Sequence, residues 1–145
     1  GNAVAILNLF RLSRLTGDAL FEREARRALD AIGPQVSQAV SAHAMLITAW
    51  EFIRGGATEA VIAGKTGAAD TMAFIRAINR TYLPNATVVF RPTDTPDPAI
   101  DAIAPFAASC KETGNGAAAY ICRNHVCGLP VHDPEALPDL LTSQK

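Results

Sequence analysis

TEAVIAGK (58–65), TGAADTMAFIRAINRTYLPN (66–85) and ATVVFRP (86–92) are the segments whose reading decides the fold. The first and last are short apolar runs without polar alternation, the pattern of strands covered on both faces. Between them Met72, Ile75, Ala77, Ile78 and Leu83 supply an apolar helical face, Asp70 is a candidate N-cap, and Pro84 and Asn85 stop the helix. Two such strands joined by one helix make a parallel βαβ unit, with strands expected near Ala60 to Ala63 and Thr87 to Phe90.

Outward from this unit the rest of the chain reads as helical before it and mixed after it. From Asn2 to Leu15 apolar residues wrap most of the way round a helix, so burial on more than one side is expected. Gly17 fits a left-handed C-cap and Asp18 an N-cap for a second, amphipathic helix to Ile32, which Gly33 and Pro34 are expected to break. A third helix follows from about Gln35 to Arg54. Beyond the βαβ unit, TDTPDP (93–98) is turn-rich, Ala99 to Ala108 suits a short helix with Pro105 near an end, and Ala117 to Ile121 a third strand. Asp133 and Pro134 open a terminal helix to Leu141. The fold class expected is mixed α and β: helical hairpins over residues 1–56, then a small α/β domain over 57–145 with a mainly parallel three-stranded sheet.

Composition narrows the function classes. The 145 residues carry 13 basic and 14 acidic side chains, a net charge of −1, which argues against broad electrostatic binding to nucleic acid or anionic lipid. No apolar run reaches the ~18 residues of a membrane span. Three cysteines, an odd number, favour a reducing compartment, and the cytoplasm is the expected location. Helical pattern begins at once after Gly1, as in a piece of something longer.

Few residues carry a chemical signal. Gly64, Lys65 and Thr66 follow a strand like the tail of a phosphate-binding loop, but the motif's first glycine is replaced by Glu59, so a plain strand-to-helix turn is the better reading. A weak anion site on backbone N–H groups near Gly67 is the alternative. Cys122, His125, Cys127 and His132 have ligand types suited to zinc in a spacing that matches no standard knuckle, with Cys110 upstream. Cys122 and Cys127 also form a C-x4-C thiol pair, without the C-x-x-C spacing of a low-pKa attacking thiol. On these grounds both are expected to be reduced and metal-free, and no cofactor is expected. His43, beside Val36, Val40 and Ala44 of the third helix, is a core or interface histidine first and a pocket residue second.

GNAVAILNLFRLSRLTGD (1–18), AHAMLITAWEFIRGG (42–56), EAVIAGKTGAADTMAFIRAINRTYLPN (59–85) and above all AAAYICRNHVCGLPVHDPEAL (117–137) resemble the C-terminal part of the thioredoxin-domain-containing, spermatogenesis-associated protein-like family. The resemblance covers essentially the whole chain, and AYICxxxxCxxPVxDPExL is its most specific piece. It implies a large parent with an N-terminal thioredoxin-like domain and an (α/α)6 toroid similar to N-acylglucosamine 2-epimerases and six-hairpin glycosidases, of which this chain is the end. Asn2 matches the family's Ser-Gly-Asn segment at the mouth of the toroid and is a candidate pocket group with His43. His125 falls outside the family pattern, which stresses the two cysteines.

Three functions follow as expectations. The first is a non-catalytic C-terminal module whose partner is the rest of the parent protein. The second is one wall of a carbohydrate-active or epimerase-like pocket, and the third a thiol redox accessory in which Cys122 and Cys127 exchange with the thioredoxin-like domain. A homodimer is also expected through the first helix, with Val4, Ile6, Leu7 or Phe10 meeting the partner.

Overall fold

A computed structural model describes residues 1–36, 44–54 and 57–142. The elements run α1 (Asn2–Thr16), α2 (Ala19–Val36), α3 (Ala44–Arg54), β1 (Thr58–Gly64), α4 (Ala69–Asn79), β2 (Ala86–Pro92), α5 (Ala99–Ile103), a 3-10 turn (Pro105–Ser109), β3 (Ala118–Arg123), β4 (Val126–Cys127) and α6 (Leu137–Thr142). Residue 43, and with it the expected role of His43, lies outside the described residues, as does most of the segment expected to begin the third helix.

The helical part forms as its pattern requires. Gly17 ends α1 at φ 74°, a left-handed conformation glycine adopts without a Cβ penalty, and its N–H reaches the Ser13 carbonyl. Asp18 Oδ1 then accepts the N–H of Leu20 at 2.8 Å and starts α2. Contrary to expectation, α2 runs through Gly33 and Pro34 to Val36. The proline forgoes the N–H bond that would have met the Asp30 carbonyl, and the helix continues only two residues beyond it, Gln35 and Val36. Ile6, Leu7 and Phe10 pack with Ala25, Leu46 and Phe52 into one core, so most of α1's apolar surface is covered by its own chain. Val4 and Leu12 are its large apolar residues that stay exposed.

The expected parallel pair is present. β1 and β2 run parallel in the register Ala60↔Val88, Val61↔Val89, Ile62↔Phe90, and every residue of β1 is buried. The expectation of a mainly parallel three-stranded sheet is corrected: the sheet has four strands in the order β2-β1-β3-β4, and β3 is antiparallel to β1. A parallel β3 would need a full crossover, whereas the chain between β2 and β3 forms only α5 and the 3-10 turn and returns along the sheet in the opposite sense. The short β4 was missed altogether.

Both faces of the sheet are covered. On one, Ala60, Ile62 and Ala119 pack against Phe74 and Ile78 of α4 and Leu137 of α6. On the other, Val61, Ala63 and Val89 meet Ala104, Ala107 and Cys110, with Leu15 from the end of α1 against the same cluster. Ala68, not Asp70, is the N-cap of α4. Asp70 instead ties the helix start to the residue just before β3, accepting the N–H groups of Ala117 at 2.9 Å and Thr71 at 2.8 Å, and these bonds hold its carboxyl below the usual range.

Helices and sheet meet at the turn between β3 and β4. Asn124 and His125 both have positive φ, 48° and 66°, the backbone of a type I′ hairpin turn that glycine and asparagine usually supply. The His125 N–H points to Glu59 Oε2 at 3.4 Å, its Nε2 lies 3.0 Å from the Arg14 carbonyl, and Arg14 Nη1 donates to Asn124 Oδ1 at 3.0 Å. The end of α1 is therefore held by a hairpin turn that a buried carboxyl supports from beneath.

Glu59 has 0 % of its surface exposed, and its Oε1 has no hydrogen-bond partner among the described residues. Burial raises its pKa, opposed by the His125 N–H and by the positive charge of His125 and Arg14. A raised pKa means that the folded chain holds a proton the unfolded chain has lost. The resulting stability is complete below the ordinary carboxylate pKa and is lost as pH rises through the raised one. Glu59→Gln is accordingly expected to melt higher than the parent chain at pH 8, with the gap closing toward pH 4, in thermal melts across that range. Parallel pH slopes for the two proteins would contradict it. Gly64 provides a packing test: a Cβ there would collide with Thr71 Oγ1 and stand 2.8 Å from the Ala117 Cβ. Gly64→Ala is expected to lower the denaturant-unfolding free energy by roughly 1–3 kcal/mol, and an unchanged midpoint would contradict that.

Candidate functional site

The β3–β4 hairpin brings the sulfurs together. Arg123↔Val126 closes the turn, which makes Cys122↔Cys127 the next cross-strand pair, on the same face with Cα atoms 3.9 Å apart. The two cysteines are joined as a disulfide, so the expectation that both are reduced is corrected. The physical reason is that C-x4-C is the spacing of the cross-strand pair one step out from the residues that flank a two-residue turn. A comparison with C-x-x-C motifs alone does not find it, and the turn is disguised because Asn124-His125 stands where Asn-Gly is usual.

The third cysteine completes the cluster. Cys110 follows the 3-10 turn, whose Ala107 carbonyl accepts the Cys110 N–H at 2.9 Å. The neighbouring Lys111 backbone is clamped from both sides by Tyr120, whose hydroxyl donates to the Lys111 carbonyl at 2.6 Å and stands 3.3 Å from the Lys111 N–H. Thus placed, the Cys110 thiol is buried with its Sγ 3.7 Å from Cys127 Sγ, and the three sulfurs lie within 4.8 Å of one another. Burial pushes the Cys110 thiol up, with the Ser109 side chain working against it. Cys122 is fully buried, whereas Cys127 is only partly so, which makes Cys127 the more accessible residue of the pair. Across the sheet, Cys122 stands opposite Glu59.

The candidate zinc set is not assembled. With Cys122 and Cys127 in a disulfide, neither offers a thiolate. His125 is engaged with Arg14 and tilted against Phe106 at 5.0 Å between ring centroids, and His132 Nδ1 lies 3.4 Å from Thr113 Oγ1. The sulfur that sequence reasoning left upstream, Cys110, is the one the fold adds.

The other candidate sites are less developed. Asn2 lines a cavity of about 340 Å³ whose remaining wall is Gly1, Ala3, Val4, Ile32, Met45 and Leu46. It is the one polar side chain there among the described residues, whereas a sugar pocket presents several converging polar groups. The anion site suggested near Gly67 is filled by the chain itself: Asp94 accepts the N–H of Thr66 at 3.1 Å and its hydroxyl at 3.0 Å.

Among the described residues no helix is long and apolar enough to cross a membrane. No protein-family model matches the chain, and no solved structure matches it. It is similar to spermatogenesis-associated protein 20 of Homo sapiens and of Rattus norvegicus, each 27% identical over 140 residues, and to that of Mus musculus, 26% identical over 140 residues. These similarities cover 97% of this chain and 18% of each relative, so the chain spans about a fifth of the length of the curated relatives it matches.

Proposed function

We propose that the chain is a C-terminal module of a larger protein, without small-molecule catalysis of its own, and that its chemically active element is the Cys122–Cys127 disulfide, exchanging with an external protein dithiol. The observation that carries this reading is the sulfur cluster: a disulfide whose Cys127 is a half-buried residue, and a free thiol 3.7 Å from it. Two physical arguments favour exchange over a staple. With a sequence separation of only 5, the bond closes a short loop, so its chain-entropy contribution is at the low end, about 2 kcal/mol. If the compartment is reducing, as we propose, protein disulfides that do occur are usually transient and catalytic or redox-sensing.

The resemblance supplies a partner of fitting chemistry, a thioredoxin-like domain in the parent. The rest of that protein would meet the module at its exposed apolar residues, among them Val4, Leu12 and Trp50. Self-association through α1 would use Val4 and Leu12, because Ile6, Leu7 and Phe10 are already buried.

Dithiothreitol titration of the folded protein, read by alkylation and mass, tests the proposal. Cys122 and Cys127 should become alkylatable while the far-ultraviolet circular dichroism is kept, with a melting temperature lower by only about 4–8 °C, the equivalent of ~2 kcal/mol for a chain of this size. A disulfide that yields only when the chain unfolds would make it a staple and overturn the reading.

A further inference from the structure

We propose that Cys110 is the resolving thiol of this centre: it exchanges with the disulfide internally, moving the bond from Cys122–Cys127 to Cys110–Cys127 and releasing Cys122. The inference rests on the exchange reading above and assigns its third participant. The sulfurs of Cys110 and Cys127 are already in van der Waals contact at 3.7 Å. With all three sulfurs within 4.8 Å of one another the resting approach is oblique, so the attack requires the Cys110 side chain to turn into line with the Cys127–Cys122 bond. The Tyr120 clamp on Lys111 and the Ala107 bond to the Cys110 N–H hold the nucleophile's backbone in place. The thiol is 1 % exposed, so outside disulfides are shut out and Cys127 is the partner within reach.

The step balances without an added oxidant or reductant. Cys110 gives up its proton, its thiolate attacks Cys127 Sγ, and the new S–S bond forms as the Cys127–Cys122 bond breaks. The electron pair leaves on Cys122 Sγ, which takes up a proton, so one disulfide and one thiol become another disulfide and another thiol. The same attack resolves a mixed disulfide. When an external protein thiolate has opened the bond at Cys127 and freed Cys122, Cys110 displaces that thiol and leaves Cys110–Cys127 behind. Because burial holds the Cys110 proton tightly, exchange is slow at neutral pH and accelerates with alkalinity, about tenfold per pH unit below the thiol pKa. Cys122, once free, is the buried member, facing the Glu59 side of the sheet.

The sequence makes the exchange easy to read, because tryptic cleavage after Lys111 and Arg123 puts the three cysteines on three peptides. The folded, oxidised protein is incubated without reductant at several pH values, quenched with acid, alkylated and mapped. The expected result is a growing fraction of Cys110–Cys127 with alkylated Cys122, approached faster as pH rises and absent in Cys110→Ser. Alkylation of Cys110 alone at every pH would overturn the proposal. A trapping variant separates this inference from the reading it rests on: Cys122→Ala, shown folded by circular dichroism, should form Cys110–Cys127 on mild oxidation. If the parent disulfide is reducible in the folded state but this variant keeps Cys110 free, the resolving role fails and the exchange reading stands. If the variant closes the bond while the parent disulfide resists dithiol, the juxtaposition stands and the exchange reading fails.

Discussion

The conformation of two residues, Asn124 and His125, organises the rest of this structure. Positive φ costs a β-carbon-bearing residue such as His125 on the order of 1–2 kcal/mol, and an asparagine such as Asn124 less; three contacts offset it. The tight reversal puts Cys127 opposite Cys122, aims the His125 N–H at Glu59, and presents the imidazole to the Arg14 carbonyl at the end of α1. A glycine at His125 would relax the backbone but would lose the ring that reaches the helix. One turn thereby links the sulfur chemistry, a buried carboxyl and the docking of the helical segment.

The face of the sheet beneath that turn is unusual in what it buries. Its partners are mostly small or aliphatic, Val61, Ala63, Val89, Ala104 and Ala107, yet it also holds the Cys110 thiol and, opposite Cys122, the Glu59 carboxyl. A dry apolar wall favours the neutral forms of both acids, which is why both pKa values move upward. It also shields Cys110 from outside thiols while leaving Cys127 partly open. Protection of the nucleophile and access to the disulfide thus come from the same packing.

Much of the frame was legible in the sequence. The unbroken apolar runs of β1 and β2 and the intervening helix fixed a parallel pair, and Gly17 marked the end of α1, because each of these signals is local. The direction of β3 was not legible, since pairing order depends on how the segment from Ala99 to Ser109 travels, which composition does not record. Pro34 was over-read as a helix breaker: the helix passes it and ends two residues later, at Val36. At the site the residues were visible but their grouping was not. Cys122 and Cys127 could be paired by counting outward from a two-residue turn, whereas Cys110 joins them through a 3-10 turn and a tyrosine clamp that leave no spacing signature.

If the hairpin turn is what couples the disulfide to the docked helix, reduction has a local reach that amide hydrogen exchange can map. In the oxidised and the dithiothreitol-reduced protein, protection should fall on reduction at His125, whose N–H faces Glu59, and at Gly17, whose N–H caps α1, while the amides of the β1–β2 pair keep theirs. Identical protection at His125 and Gly17 in both states would contradict the coupling, and so would loss of protection throughout the sheet.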